Sequence, residues 1–320
     1  MTGGTSAGMD AEDRRLLEES LRKLTDSLTG EPLDAALTDL GWRDALADDP
    51  AAAVSSLFRL QGTANATSTA LDDVVLAALG LDATDDAAVV LPSAGGWAAP
   101  GGGTTVHGLA TARATRAGQV VVVSSTAEGH LAHVVRTASM TVEPVRGIDE
   151  ALGIVTVSGA APAGAGTPVP WDDAIAAGQV ALAYELLGLA DAMVRLGRDH
   201  AVNRVQFGRA IASFQAVRHR LADALVAVES ADAAVAAAWT DPSPVAAALA
   251  KAIAGRAART VARHAQQVLG GMGFTTEHAL HRYVRRAFAL DQLLGSSQRL
   301  SAEIGERILR ERRLPAMLPL

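Results

Sequence analysis

Two short segments hold the residue types from which a binding site is most readily built. The first is Arg204-Val205-Gln206-Phe207-Gly208, followed by Ile211 and then Ser213-Phe214-Gln215. It sets an arginine, an aromatic and a glycine at a turn between two long apolar stripes, with a glutamine one turn into the second. A guanidinium fork suits a phosphate or pyrophosphate; the plainer alternative is a solvated arginine, with Phe207 and Phe214 closing the end of a bundle. The second segment is Gln266-Gln267-Val268-Leu269-Gly270-Gly271-Met272-Gly273-Phe274, with Thr275-Thr276-Glu277 opening the next helix. Glycines let a ligand or another backbone come close, and a helix start favours an anion. The plainer alternative here is a helix C-cap and turn, which needs one glycine where this segment has three.

Other constellations are weaker. Gly164-Ala165-Gly166 runs into Thr-Pro-Val-Pro, so no dinucleotide fingerprint follows a strand, and neither a Walker A sequence nor a Gly-x-Ser-x-Gly elbow is present. Ser20 and Lys23 have a serine–lysine spacing but lie in an amphipathic stretch without accompanying motifs. His278 and His281 share a helix face, yet a third ligand is missing and arginines surround them, so capping or solvated histidines are expected and no metal. Without cysteine there are no disulfides, thiolate nucleophiles or cysteine-held metal clusters. Aromatics at 3% and a net charge of −7 argue against nucleic acid as the main partner. The start has no apolar signal region, and no run approaches the ~20 apolar residues that span a bilayer, so a cytoplasmic protein is expected.

These segments need elements to position them. The first ten residues read as a flexible leader. Leu16, Leu17, Leu21, Leu24 and Leu28 then recur at helical spacing. Short helical patterns follow around 32–40, 50–60 and 68–79, with Gly41, Gly62 and Gly80 at the breaks. From about Asp86 to Pro170 β-branched runs alternate with Gly-rich loops, which reads as a small antiparallel β domain. From Trp171 onward three long apolar stripes, with joints at Asp241-Pro242 and Gly270–Gly273, describe a helical bundle, and a last helix stops at Pro315. The expected class is mainly α with a small β domain: N-terminal helices over 1–85, a middle β domain over 86–170 and a helical bundle over 171–320.

RVQFGRAIASFQAVRHRLAD and QQVLGGMGFTTEHALHRYVRRA, about 60 residues apart, resemble the paired signatures in the C-terminal four-helix bundle of the acyl-CoA dehydrogenases. Leu40-Gly41-Trp42 is similar to that family's early Leu-Gly-Trp. The resemblance implies an FAD-dependent oxidoreductase of lipid metabolism that removes hydrogens from the α and β carbons of an acyl-CoA thioester and passes electrons to an electron-transfer flavoprotein. It places Arg204 on the FAD pyrophosphate and Phe207 and Gln215 along the same cofactor. Gln267, Val268, Leu269, Gly270 and Gly271 would wrap the adenosine diphosphate part of an FAD held largely by a neighbouring subunit, which implies at least a dimer.

The departures are as telling. The helical start is shortened, and the segment that touches the flavin ring in the family stands only as Leu91-Pro92-Ser93-Ala94-Gly95-Gly96. The family's glutamate base falls on Leu294, followed by Gly295 and Ser296, and the alternative glutamate of some relatives falls near Gly178. Asp291 and Glu185 are the nearest ionisable candidates, so the catalytic residue is left unassigned. The pattern resembles the short subunits of actinobacterial heteromeric acyl-CoA dehydrogenases and implies a partner that carries the base. An autonomous flavoenzyme with a relocated base, or a scaffold without flavin, is the alternative.

Overall fold

The structure, a computed structural model, describes residues 9–162 and 164–312. It opens with α1 (Ala11–Ser27), α2 (Glu31–Leu40), α3 (Trp42–Asp48), α4 (Pro50–Ala64) and α5 (Ala70–Ala78). The starts are written locally. Asp10 accepts from the amides of Glu12 and Asp13 at 2.8 and 2.9 Å, and Asp49 accepts from Ala52 N at 3.0 Å ahead of Pro50. Gly41, with φ +80°, ends α2 and starts α3.

Gly62 does not break a helix, as its spacing suggests, but lies inside α4. A Cβ there would come within 2.1 Å of the Glu185 carbonyl oxygen, and one on Gly188 within 2.0 Å of the Arg59 carbonyl oxygen. The two glycines let α4 and α6 (Trp171–Asn203) cross almost backbone to backbone.

The strands are β1 (Ala87–Val89), β2 (Thr105–Ala110), β3 (Gln119–Thr126), β4 (Gly129–Arg136), β5 (Thr141–Pro144), β6 (Val155–Ala160) and β7 (Thr167–Pro168). They form two sheets, in the orders β1-β3-β4-β7 and β2-β6-β5. Alternate residues such as Val90, Val106, Val120, Val122, Val155 and Val157 meet in a small core of their own. The expected all-antiparallel pairing is corrected at one place. β1 pairs with β3 in parallel, Ala88 opposite Val120, because the chain leaves β1 through β2 of the other sheet before returning as β3.

Buried ion pairs join the first helices to the sheets. Arg113 Nη1 donates to Asp73 at 2.7 Å, and Trp42 Nε1 donates to the other Asp73 oxygen at 3.2 Å. Asp72 accepts from Val89 N at 2.7 Å and from the Thr111 hydroxyl.

α6 is apolar on nearly every side from Ala174 to Met193, the composition of a helix surrounded by others. It packs against α4 and α5, and against α7 (Gln215–Thr240), α8 (Pro244–Leu269) and α9 (Leu280–Asp291). α10 (Ser297–Glu311) packs on α8. A two-stranded hairpin, β8 (Val205–Gln206) and β9 (Arg209–Ala210), links α6 to α7. The leader up to residue 8 and the stop at Pro315 lie outside the described residues.

Candidate functional site

The hairpin after α6 has a two-residue tip, Phe207-Gly208, with φ of +54° and +77°. Two consecutive left-handed residues make the tight turn whose twist suits a hairpin. A glycine adopts that conformation freely; a phenylalanine does so at a cost, and the side chain it presents is 91% exposed. Phe207 therefore does not close the bundle. It meets the Phe214 ring edge-on at 6.1 Å, and the Arg209 guanidinium lies 4.3 Å from the centre of the Phe214 ring. Arg204 and Gln215 are both exposed. Among the described residues Arg204 has no carboxylate partner.

The glycine segment follows α8 as a tight turn from Gly270 to Phe274. Gly270 has φ +63°, and a Cβ on either Gly270 or Gly271 would meet nothing within 4 Å. Their backbone faces open space. Gln267 is exposed, whereas Val268 and Leu269 turn into the core and have only main chain to offer. α9 starts at Leu280 rather than at Thr275. The Leu280 amide donates to His278 Nδ1 at 3.1 Å, and the His281 ring lies 2.8 Å from the His278 carbonyl, so both histidines are engaged at the start of α9. His200 ties the two segments together: its pKa is lowered by burial and then by the charges of His278 and Arg204, which therefore share one end of the bundle.

The turn joining α9 to α10 lies toward the other end of α6. From Gly178 to Arg204 that helix runs roughly 39 Å at 1.5 Å per residue. Leu294 is 1% exposed and has φ +53°. A Cβ added to Gly178 would stand 2.5 Å from Leu294 Cδ1. The two positions picked out separately by counting along the sequence thus touch each other, and both are hydrocarbon. Trp97 covers the same turn from the sheet side, its ring 3.1 Å from where a Cβ of Gly295 would be, with the Arg299 guanidinium over it at 5.7 Å. Gly95 N donates to the Gln292 carbonyl at 2.7 Å, so the Ser93–Gly96 segment is pinned to this turn as well.

Both nearby carboxylates are buried, but only Asp291 has both oxygens hydrogen-bonded; among the described residues Glu185 Oε1 has no hydrogen-bond partner. Asp291 is wholly buried: one oxygen accepts from Ser297 N at 3.1 Å and the other from Arg259. Glu185 is buried 3.9 Å from Arg286, whose Nη1 and Nη2 already donate to the Ala66 carbonyl and Thr67 hydroxyl and whose Nε donates to Asp149. Burial pushes the Glu185 carboxyl up to about 7, with the Arg286 charge opposing.

An apolar cleft of about 180 Å³ opens near Asp149, between Val145, Ile148 and Ile154 on one side and Phe288, Ala289 and Leu293 on the other. The residues at the hairpin end fit a dinucleotide cofactor's pyrophosphate: a guanidinium without a carboxylate, two open glycines and an exposed ring lie at one end of the bundle. The 291–297 turn offers no comparable opening.

Sequence reasoning found no role for Gln179 and Lys251. Gln179 Nε2 donates to the Leu294 carbonyl at 2.9 Å, and Lys251 Nζ donates to the carbonyls of Asp291 and Gly295 at 3.2 and 2.7 Å. A lysine four residues before Gly255 and eight before Arg259, in a helix rich in alanine, was the signal available.

Comparison with known proteins supplies a family. Residues 166–309 match the acyl-CoA dehydrogenase, C-terminal domain. Acyl-CoA dehydrogenase IpdE2 of Mycobacterium tuberculosis is 42% identical over 131 residues, 40% of this chain and 41% of that protein. The match thus spans about two fifths of that relative's length. The ChsE4-ChsE5 complex from Mycobacterium tuberculosis is similar over 96% of this chain and 99% of that chain, at 22% identity and a TM-score of 0.77. A glutaryl-CoA dehydrogenase from Mycobacterium smegmatis in complex with FADH2 gives 0.72 at 14% identity, covering 98% of both chains. The chain has the acyl-CoA dehydrogenase fold along nearly its whole length, and its bundle is an acyl-CoA dehydrogenase C-terminal domain.

Proposed function

We propose that this chain, an acyl-CoA dehydrogenase-fold protein with that family's C-terminal domain, is the FAD-clasping subunit of a heteromeric enzyme that introduces an α,β double bond into an acyl-CoA thioester. The observation that carries the reading is the contact of Leu294 with Gly178, which leaves hydrocarbon at both places where a base is expected. Removing an α proton needs a carboxylate within about 2.6–3.2 Å of the group that carries it. Asp291 is sealed away by its own partners, which weakens the reading of a base relocated there; Glu185, buried with one oxygen unpaired, is the carboxylate left for that reading. A second, longer chain of the same fold would then supply the glutamate, as expected of a complex of two different subunits.

Bound FAD would supply the hydride acceptor. This chain's part is to hold and orient it. The Arg204 guanidinium would pair with the pyrophosphate, Phe207 would lie against the cofactor and Gln215 would donate to it. The side chain of Gln267 and the open backbone at Gly270 and Gly271 would receive the adenosine diphosphate half from a neighbouring subunit, with Val268 and Leu269 contributing main chain. Electrons would leave to an electron-transfer flavoprotein. No helix among the described residues is long and apolar enough to cross a membrane, which accords with a cytoplasmic place for such an enzyme.

The test is anaerobic bleaching of bound FAD by acyl-CoA esters. General-base catalysis contributes on the order of 10²–10⁴ in rate. The chain alone should bleach slower than its co-expressed complex by about that factor; equal rates would overturn the reading. A purified complex without flavin absorbance would favour the scaffold instead.

A further inference from the structure

The turn between α9 and α10 is held more firmly than its apolar surface requires. Its backbone takes two consecutive left-handed conformations, at Leu294 (φ +53°) and Gly295 (φ +101°), and the first of these is unfavourable for a leucine. The last carbonyls of a helix have no partner within it and need others. Here the carbonyls of residues 291, 292, 294 and 295 are met by three donors from different parts of the chain: Lys251 Nζ takes 291 and 295, Gly95 N takes 292, and Gln179 Nε2 takes 294. The Asp291 side chain closes the ring by accepting from Ser297 N and from Arg259.

One face of α8 is shaped for this. Lys251, Gly255 and Arg259 follow at i, i+4 and i+8 and so point the same way. The middle one is a glycine because a Cβ there would stand 2.2 Å from Asp291 Oδ1. Lys251 is fully buried, and its nearest partners are two carbonyl oxygens rather than a carboxylate. An ammonium whose hydrogen bonds go to carbonyls, with the Asp291 carboxylate near but not in ion-pair contact, is a costly group to bury for packing alone, since a methionine would fill the same volume.

We propose that Lys251 is a positioning residue, a clamp whose Nζ bridges the two sides of the 291–297 turn and so keeps residue 294 facing Gly178. Position 294 carries no base in this chain, yet the turn that presents it is held in place. What position 294 is for rests on the proposed function; the clamp does not, because its geometry involves this chain alone. It can therefore be tested on the full chain without FAD or substrate, and its failure would leave the desaturase reading standing.

The absence of cysteine makes the experiment direct. Leu294→Cys introduces the only thiol, and Ala190→Cys, in the fully buried middle of α6, gives a second single-thiol chain that reports general loosening. Labelling by a water-soluble disulfide reagent is timed for both, with Lys251 intact and with Lys251→Met. Hydrogen bonds from a charged donor are strong enough that their loss should speed labelling at 294 by about tenfold or more while labelling at 190 is unchanged. An unchanged rate at 294, or equal acceleration at both sites, would overturn the clamp. Should Lys251→Met not accumulate as folded protein, Lys251→Gln, which keeps a donor but shortens its reach, is read against the same two outcomes.

Discussion

The two ends of α6 have been treated in opposite ways. At the C-terminal end the hairpin leaves Arg204 without a carboxylate among the described residues and holds Phe207 in solvent, and the turn after α8 faces two glycines outward. Toward the N-terminal end the carbonyls at residues 291, 292, 294 and 295 are matched, Leu294 fills the space beside Gly178 and Trp97 lies over the turn. Arginines mark the contrast. Arg286 is buried with four partners, Arg204 is exposed with no carboxylate, and an unspent cation on a surface is worth little to the fold. One end leaves its polar groups open to solvent, and the other closes on its own residues.

If that contrast is right, substitutions at the two ends should separate stability from cofactor retention. The largest effect is expected at Arg286. Arg286→Ala strands the Asp149 and Glu185 carboxylates in the core and should cost about 4 kcal/mol in denaturant unfolding. Arg204→Ala should move unfolding of the apoprotein by less than about 0.5 kcal/mol. It should nonetheless weaken FAD retention about tenfold to a hundredfold, as read by dialysis and flavin absorbance. Unchanged retention would remove the most specific residue from the proposed site.

A smaller effect tests the closed end. Gly178→Ala pushes a methyl group onto Leu294 and should destabilise by about 2 kcal/mol. Leu294→Ala makes room for that methyl, so the pair should be less destabilising than the sum of the singles in a double-mutant cycle. Strict additivity would show that the two residues do not share one space.

The smallest effect is a slope with pH. Glu185 is pushed up to about 7 and Asp72 to about 6, in both cases chiefly by burial. Between the ordinary values of 4.5 and 3.8 and these raised ones, the folded chain binds protons that the unfolded chain has released. Their contribution to stability is full below the ordinary values and is lost as pH rises through the raised ones. Unfolding midpoints should therefore fall between about pH 4 and pH 7, and Glu185→Gln should flatten the upper part of the slope.

Helix periodicity, β-branched runs and glycine joints were enough to order the elements, because each depends on residues close together in the chain. The same reading took Gly62 for a helix break. Whether a glycine ends a helix or lets a second helix approach depends on α6, more than 120 residues away. Parallel pairing of β1 with β3 was invisible for a similar reason, since alternation is the same in either direction. The turn at Phe207-Gly208 was legible, but a phenylalanine at a left-handed position is rare enough that the two-stranded hairpin it tips was not.

By itself the sequence determined the family resemblance, the residues proposed for a cofactor and the absence of an ionisable side chain at 294 and at 178. These are matters of residue type at a counted position. Only the tertiary structure decided that 294 and 178 are one place, that Asp291 is committed to partners while Glu185 keeps an unpaired oxygen, and that Lys251 and Gln179 donate to the turn. Hydrogen bonds and close contacts depend on distance and direction between segments more than 40 residues apart in the chain, and no local spacing encodes where a buried ammonium will find its carbonyls.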